Sequence, residues 1–307
     1  MINKLIQCKH ILLVLCLLQS TSLSADIYKY QDQHGKWYFS DKKPDDSSTS
    51  VKRVNYLSSE IKQIKPFLEM KQANGMLNYV ANNPMLISVQ CFLIDKNTQK
   101  KISMLVLKPI SSETIFEQKN SMHKLDVYFK YVVGDPETKP AISTIIPPFI
   151  DFKPMKIGQS FNGKFSHYRK ANLYAVDIGM PVGTKIVAVK EGIVIRTKDD
   201  YAHSGVTSPF FFDKANLVEI LHADGTYAVY AHLLLGGVHV KVGDKVSTGQ
   251  VIGLSGNTGY STGPHLHFVI RYNDNGKVNS VPFKFLQPGK KQITPEQGGW
   301  LLPYLPK

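Results

Sequence analysis

Apolar residues recur at every second position through much of this chain, the period of a strand with one buried face. The alternation is clearest at 265–271. There Leu266, Phe268 and Ile270 define an apolar side and put His265 and His267 together on the opening side. Short runs at 174–184, 185–195, 217–222, 226–233 and 251–255 are punctuated by glycine, which predicts an antiparallel, nearly all-β domain beginning near Gly158. Further runs at 85–94, 101–107 and 124–133, separated by polar turns such as Asp95-Lys-Asn-Thr, predict a second antiparallel β module. Residues 27–41 read as a hairpin turning at Asp32-Gln-His-Gly35, and 59–70 as a short helix broken at Pro66.

These patterns make the chain mainly β and divide its 307 residues into five parts. A leader covers 1–25, a small hairpin module with its linker 26–50, a β-rich middle domain 51–150, the C-terminal domain 151–290 and a tail 291–307. The leader carries Lys4 and Lys9, then an apolar run from Ile11 to Leu18, then small polar residues. That order is a secretory signal peptide whose apolar run is too short to span a bilayer, so a periplasmic or secreted protein with no membrane span after cleavage is expected. Of the three cysteines only Cys91 lies beyond the leader, so no internal disulfide is expected and Cys91 reads as core. The net charge is +13, of which the leader supplies two lysines and no acid. A basic exported chain suits an anionic partner such as the cell wall, and no nucleic-acid partner is expected. The oligomeric state is left open.

Candidate chemistry gathers in the C-terminal domain. His167 and Asp177 bracket a stretch able to turn between two strands, and a hairpin would set them side by side. With His267 they make a His2Asp set suited to zinc, leaving a coordination position for water. His232 closes another strand and His265 neighbours His267, so both are free for acid–base and oxyanion roles. His34 at the hairpin turn reads as solvent-exposed, His203, His222 and His239 read as structural, and the long loop 197–214 with Phe210-Phe-Phe212 reads as a wall of a groove.

The ordered array Phe165-Ser-His167, Tyr174-Ala-Val-Asp177, Tyr230-Ala-His232-Leu233, Val242-Gly-Asp to Ile252-Gly253, Gly256-Asn-Thr-Gly259 and Gly263-Pro-His265-Leu-His267 resembles the lysostaphin-type zinc metallopeptidases over about 158–286. Residues 133–148 are similar to the approach segment of Gram-negative relatives, and the hairpin module resembles one found on many secreted Gram-negative proteins. The resemblance implies an antiparallel β fold with a central groove and hydrolysis of peptidoglycan peptides. It places zinc on His167, Asp177 and His267 and the catalytic roles on His232 and His265. The commoner family spacing, H-x-x-x-D, would need a histidine where Leu173 stands, so the ten-residue spacing here resembles a longer-spaced branch. Two other outcomes remain open at this point: a wall-binding module or amidase activator that has lost its metal, and an exported protease acting on proteins.

Overall fold

The computed structural model describes residues 27–31, 37–40, 52–54, 64–120 and 122–305. The expected leader, the linker at 42–50, His34 and the start of the expected helix lie outside them. The described chain is mainly β, and its helical segments are three short 3₁₀ turns. Ile27–Gln31 pairs antiparallel with Trp37–Ser40, as the hairpin pattern predicts, and Lys52–Val54 adds a third strand.

The helix expected at 59–70 is not what the described part forms. Phe67–Ala73 is a strand that turns back into Met76–Asn83. Asn74 and Gly75 both hold positive φ, 51° and 72°, the combination a two-residue hairpin turn needs. Tertiary packing selects the strand: Leu77, Tyr79 and Ala81 alternate into an apolar core. Ser111–Lys119, whose composition is mostly polar, joins this pair as a third strand. Val89–Asp95 stands between Lys101–Leu107 and Val127–Val133, close to the three runs read from the sequence. Cys91 is buried there, and burial pushes its thiol up to about 12, which leaves it an inert core residue.

The C-terminal part is built on one large sheet. Its order is Lys245–Val246, Gly192–Lys198, Leu217–Leu221, Tyr227–Ala231, His265–Asp274, Val176–Gly179, Met155–Gln159 and Trp300–Leu301. A four-stranded sheet, with Phe149–Ile150, Lys185–Val187, Val251–Ser255 and Leu233–Val238, covers one face. Leu266, Phe268, Ile270, Tyr230 and Ile220 fill the core between the sheets with Phe149, Ile186 and Ile252. Hydrogen bonding runs across positions 150 and 291: Phe149–Ile150 pairs with Lys185–Val187, and Trp300–Leu301 with Met155–Gln159. Ser143–Ile145 lies parallel to Phe283–Gln287, whereas the named strands otherwise pair antiparallel among the described residues.

Phe268 is fully buried with ring centroids 5.2 Å from both Tyr230 and Phe283. Phe268→Ala is expected to cost about 3–5 kcal/mol of stability, because a rigid core recovers little of the emptied volume. A urea melt checks this: a midpoint unchanged from the parent would contradict it.

The other face of the large sheet is also covered, in part by the middle strands. Val269, Val229, Leu217 and Tyr227 share one apolar cluster with Tyr79, Leu93, Leu107 and Phe129. Asn273 Nδ2 fixes this junction by donating to Gly134 O at 2.9 Å and to Gln90 Oε1 at 3.1 Å.

Candidate metal centre and groove

Sheet register brings the first two candidate ligands together. Asp177 stands directly opposite His267, and Gln159 opposite Asp177 on the next strand. His267 Nδ1 lies 2.8 Å from Asp177 Oδ1. His167 arrives differently from the simple hairpin the sequence suggested. The chain after Met155–Gln159 folds back through turns, closed by His167 N–H donating to Gly163 O, and the fully buried imidazole enters from the loop side. The stretch between His167 and Asp177 carries a 3₁₀ turn, Lys170–Asn172, rather than the turn of a β hairpin.

The three side chains offer ligand atoms that all lie within 4.8 Å of one another. His167 Nδ1 donates to Ser160 O at 3.0 Å, which leaves the lone pair on Nε2. That Nε2 sits 3.2 Å from Asp177 Oδ1, close enough for an ion pair but out of line for a hydrogen bond, so the buried nitrogen has no hydrogen-bond partner. A lone pair sealed from water and aimed beside a carboxylate rather than at it is what a cation between them requires. Two imidazole nitrogens and one carboxylate oxygen also match the borderline donor set of zinc-type ions. Burial alone would raise the Asp177 pKa, but the imidazoles of His167 and His267 beside it overcome that and hold the carboxyl well below its usual range. Burial lowers the His267 pKa, which favours the neutral, ligating imidazole.

Gln159 was not singled out by its sequence, where it is one amide among many. Its Nε2 donates to Asp177 Oδ2 at 2.9 Å and to Ser166 Oγ at 2.7 Å, while Oε1 accepts the N–H groups of Phe165 and Ser166. One side chain therefore orients the carboxylate and pins the loop that carries His167. Gln159→Ala is expected to weaken metal binding about 10–100-fold, the usual loss when a partner of a ligand is removed. Competition against a chromophoric chelator measures it, and unchanged affinity would rule out the clamp.

His232 and His265 face the same place. Their ring centroids are 4.5 Å apart, His232 is 5.9 Å from His267, and His265 Nε2 is 3.8 Å from Asp177 Oδ1. His232 Nδ1 meets Thr258 O at 2.6 Å and His265 Nδ1 meets Gly263 O at 2.8 Å. A carbonyl only accepts, so both rings carry their proton on Nδ1 and hold a lone pair on Nε2. His232 sits at the end of its strand with φ 66°, a left-handed conformation that costs a non-glycine residue of order 1 kcal/mol and is held only by its surroundings. Burial, with the nearby His265 and His267, pushes its pKa down to about 3. The Thr258 loop depends on Gly259, whose φ is +76° and where a Cβ would come 2.4 Å from Ala215 N.

These groups open onto a groove of about 680 Å³. Phe212 of the long loop lines it, packed on Tyr260 at 4.6 Å, with Phe165 also stacked on Tyr260 at 6.1 Å. His203, His222 and His239 take no part in the cluster. His222 is a buried structural residue tied to Glu191 O, and burial lowers its pKa.

Comparison with known proteins supplies the context. The model of peptidase family M23 matches residues 171–280, a segment that contains Asp177, His232, His265 and His267 and stops short of His167. An uncharacterised metalloprotease of Buchnera aphidicola is 36% identical over 40% of this chain and 31% of its own length. Glycyl-glycine endopeptidase ALE-1 of Staphylococcus capitis is 36% identical over 36% of this chain and 29% of its own. Peptidoglycan DD-endopeptidase ShyA of Vibrio cholerae is 37% identical over 37% and 24%. The chain thus spans about a third or less of each of these relatives. The solved structure of lysostaphin from Staphylococcus simulans is 35% identical over 39% of this chain and 43% of its own, with a TM-score of 0.29. The sequence match thus makes residues 171–280 of this chain similar to peptidase family M23.

Proposed function

We propose that this chain is an exported, zinc-dependent endopeptidase that hydrolyses peptide bonds in the stem or cross-link peptides of peptidoglycan. The convergence of His167, Asp177 and His267, with His232 and His265 beside them, carries the reading. A zinc ion held by His167, Asp177 and His267 would supply Lewis acidity, polarising a carbonyl and lowering the pKa of water. The chain's own residues do the rest. Nε2 of His232, which burial keeps neutral, accepts the proton of the attacking water and returns it to the leaving amine, and His265, carrying a second proton on Nε2, donates to the oxyanion. The backbone carbonyls of Thr258 and Gly263 keep both rings turned toward the bond being cut.

Export rests on the leader-like pattern at 1–25, and the basic excess suits an anionic wall. A purely structural or wall-binding role would leave five histidine and aspartate side chains in hydrolytic geometry without use. The test is digestion of purified peptidoglycan by the full chain loaded with zinc, with separation of the released muropeptides. Soluble fragments with new amino termini are expected. An intact wall alongside digestion of an unfolded protein substrate would transfer the activity to proteins, and no cleavage of either would leave the binding module.

A further inference from the structure

Charge along the groove is uneven. Two acids line it, Asp177 within the metal cluster and Glu219. Glu219 is buried and committed to the cross-strand guanidinium of Arg196, with Nη1 at 3.5 Å. The other two guanidiniums on the groove, Arg169 and Arg271, have no carboxylate within ion-pair distance among the described residues. Both sit against the turn that follows His167. Arg271 is strapped to it through Nε to Ala171 O at 2.9 Å and Nη2 to Asn172 Oδ1, which leaves Nη1 unbonded and open to the groove. Arg169 is exposed, with its guanidinium 5.6 Å from the Tyr168 ring.

We infer that Arg169 and Arg271 form a carboxylate-recognising wall, so that the groove selects peptides bearing a free carboxylate near the scissile bond over uncharged ones. Three features point the same way. Arg271 shares a strand face with His267 four residues on, about 13 Å at the usual rise, so an extended substrate reaches it within about four residues of the cut. Arg271 is held in place by its bonds to the turn, so little order remains to be lost when its free edge meets an anion. With Glu219 neutralised by Arg196, nothing on the groove offsets the two positive charges apart from the carboxylate in the metal cluster.

The inference refines the substrate of the proposed hydrolase and rests on that reading for the position of the cut. Its test is binding. A fluorescein-labelled peptidoglycan stem peptide, with its carboxylates free or amidated, is titrated by fluorescence anisotropy against the full chain carrying His265→Ala, which slows turnover enough for a binding measurement. The free carboxylate form is expected to bind about tenfold more tightly, the worth of one charge-assisted hydrogen bond, with the ratio falling as salt rises. Arg169→Gln and Arg271→Gln should each shrink that ratio, and the exposed Arg169 keeps the test valid if Arg271→Gln loosens the turn. Equal affinity for the two peptides, or an unchanged ratio in both variants, overturns the inference. The hydrolase reading fails separately: a preserved carboxylate preference with no cleavage of either peptide by the unsubstituted, zinc-loaded chain sinks it alone.

Discussion

His265→Ala is expected to lower peptide turnover by about 100-fold or more while the protein keeps its metal, since general acid–base and oxyanion groups each contribute about two to four orders of magnitude. His265 lies outside the group of three that converge on one point, and its Nδ1 is anchored to Gly263 O and near Ser261 Oγ rather than to a ligand. Removing the ring therefore takes away a proton carrier and leaves the ligand geometry alone. His232→Ala should behave alike in rate, and since alanine also carries a Cβ the left-handed φ of 66° stays strained in the variant. Parallel measurement of kcat and of zinc by elemental analysis decides the matter. Loss of metal together with activity would mean that these rings are ligands.

The second large effect comes from Asp177→Asn. Its Oδ1 lies close to three histidines, at 2.8 Å from His267, 3.2 Å from His167 and 3.8 Å from His265. An amide of the same shape removes the negative charge from the middle of the cluster. We expect metal affinity to fall by more than the 10–100-fold typical of an outer partner, and hydrolysis to vanish with it. Thermal melting gives a readout independent of catalysis: zinc at a hundredfold excess over its Kd should add about 2.7 kcal/mol to the unsubstituted chain. It should add nothing to Asp177→Asn. An equal zinc-induced shift in both proteins would move the metal elsewhere.

The sequence revealed much of this site because strand periodicity alone puts His265 and His267 on the face opposite Leu266, Phe268 and Ile270. Asp177 was equally legible, since a carboxylate in a short apolar strand needs a reason to be there. Contacts made by loops were harder to read. His167 could be chosen as a residue type, but its route through turns and the Gln159 clamp depend on backbone closure that no local pattern encodes. The 59–70 region misled for a physical reason: charged and apolar residues there fit a helical period, while the cross-strand packing that makes Phe67–Ala73 a strand comes from Met76–Asn83. Ser111–Lys119 escaped notice because most of its side chains face solvent. Apolarity on both faces of Leu217–Leu221 and Tyr227–Ala231 was a signal left unused, since strands covered on each side read as near-continuous apolar runs.

That second covered face bears on how the molecule can be handled. A fragment cut to the family-matched 171–280 would strip Tyr79, Leu93, Leu107 and Phe129 from Val269, Val229 and Leu217 and turn an interior into wet, adhesive surface. It would also discard His167 and the strands Met155–Gln159 and Trp300–Leu301. Such a fragment should precipitate or self-associate, and its inactivity would say nothing about the intact chain.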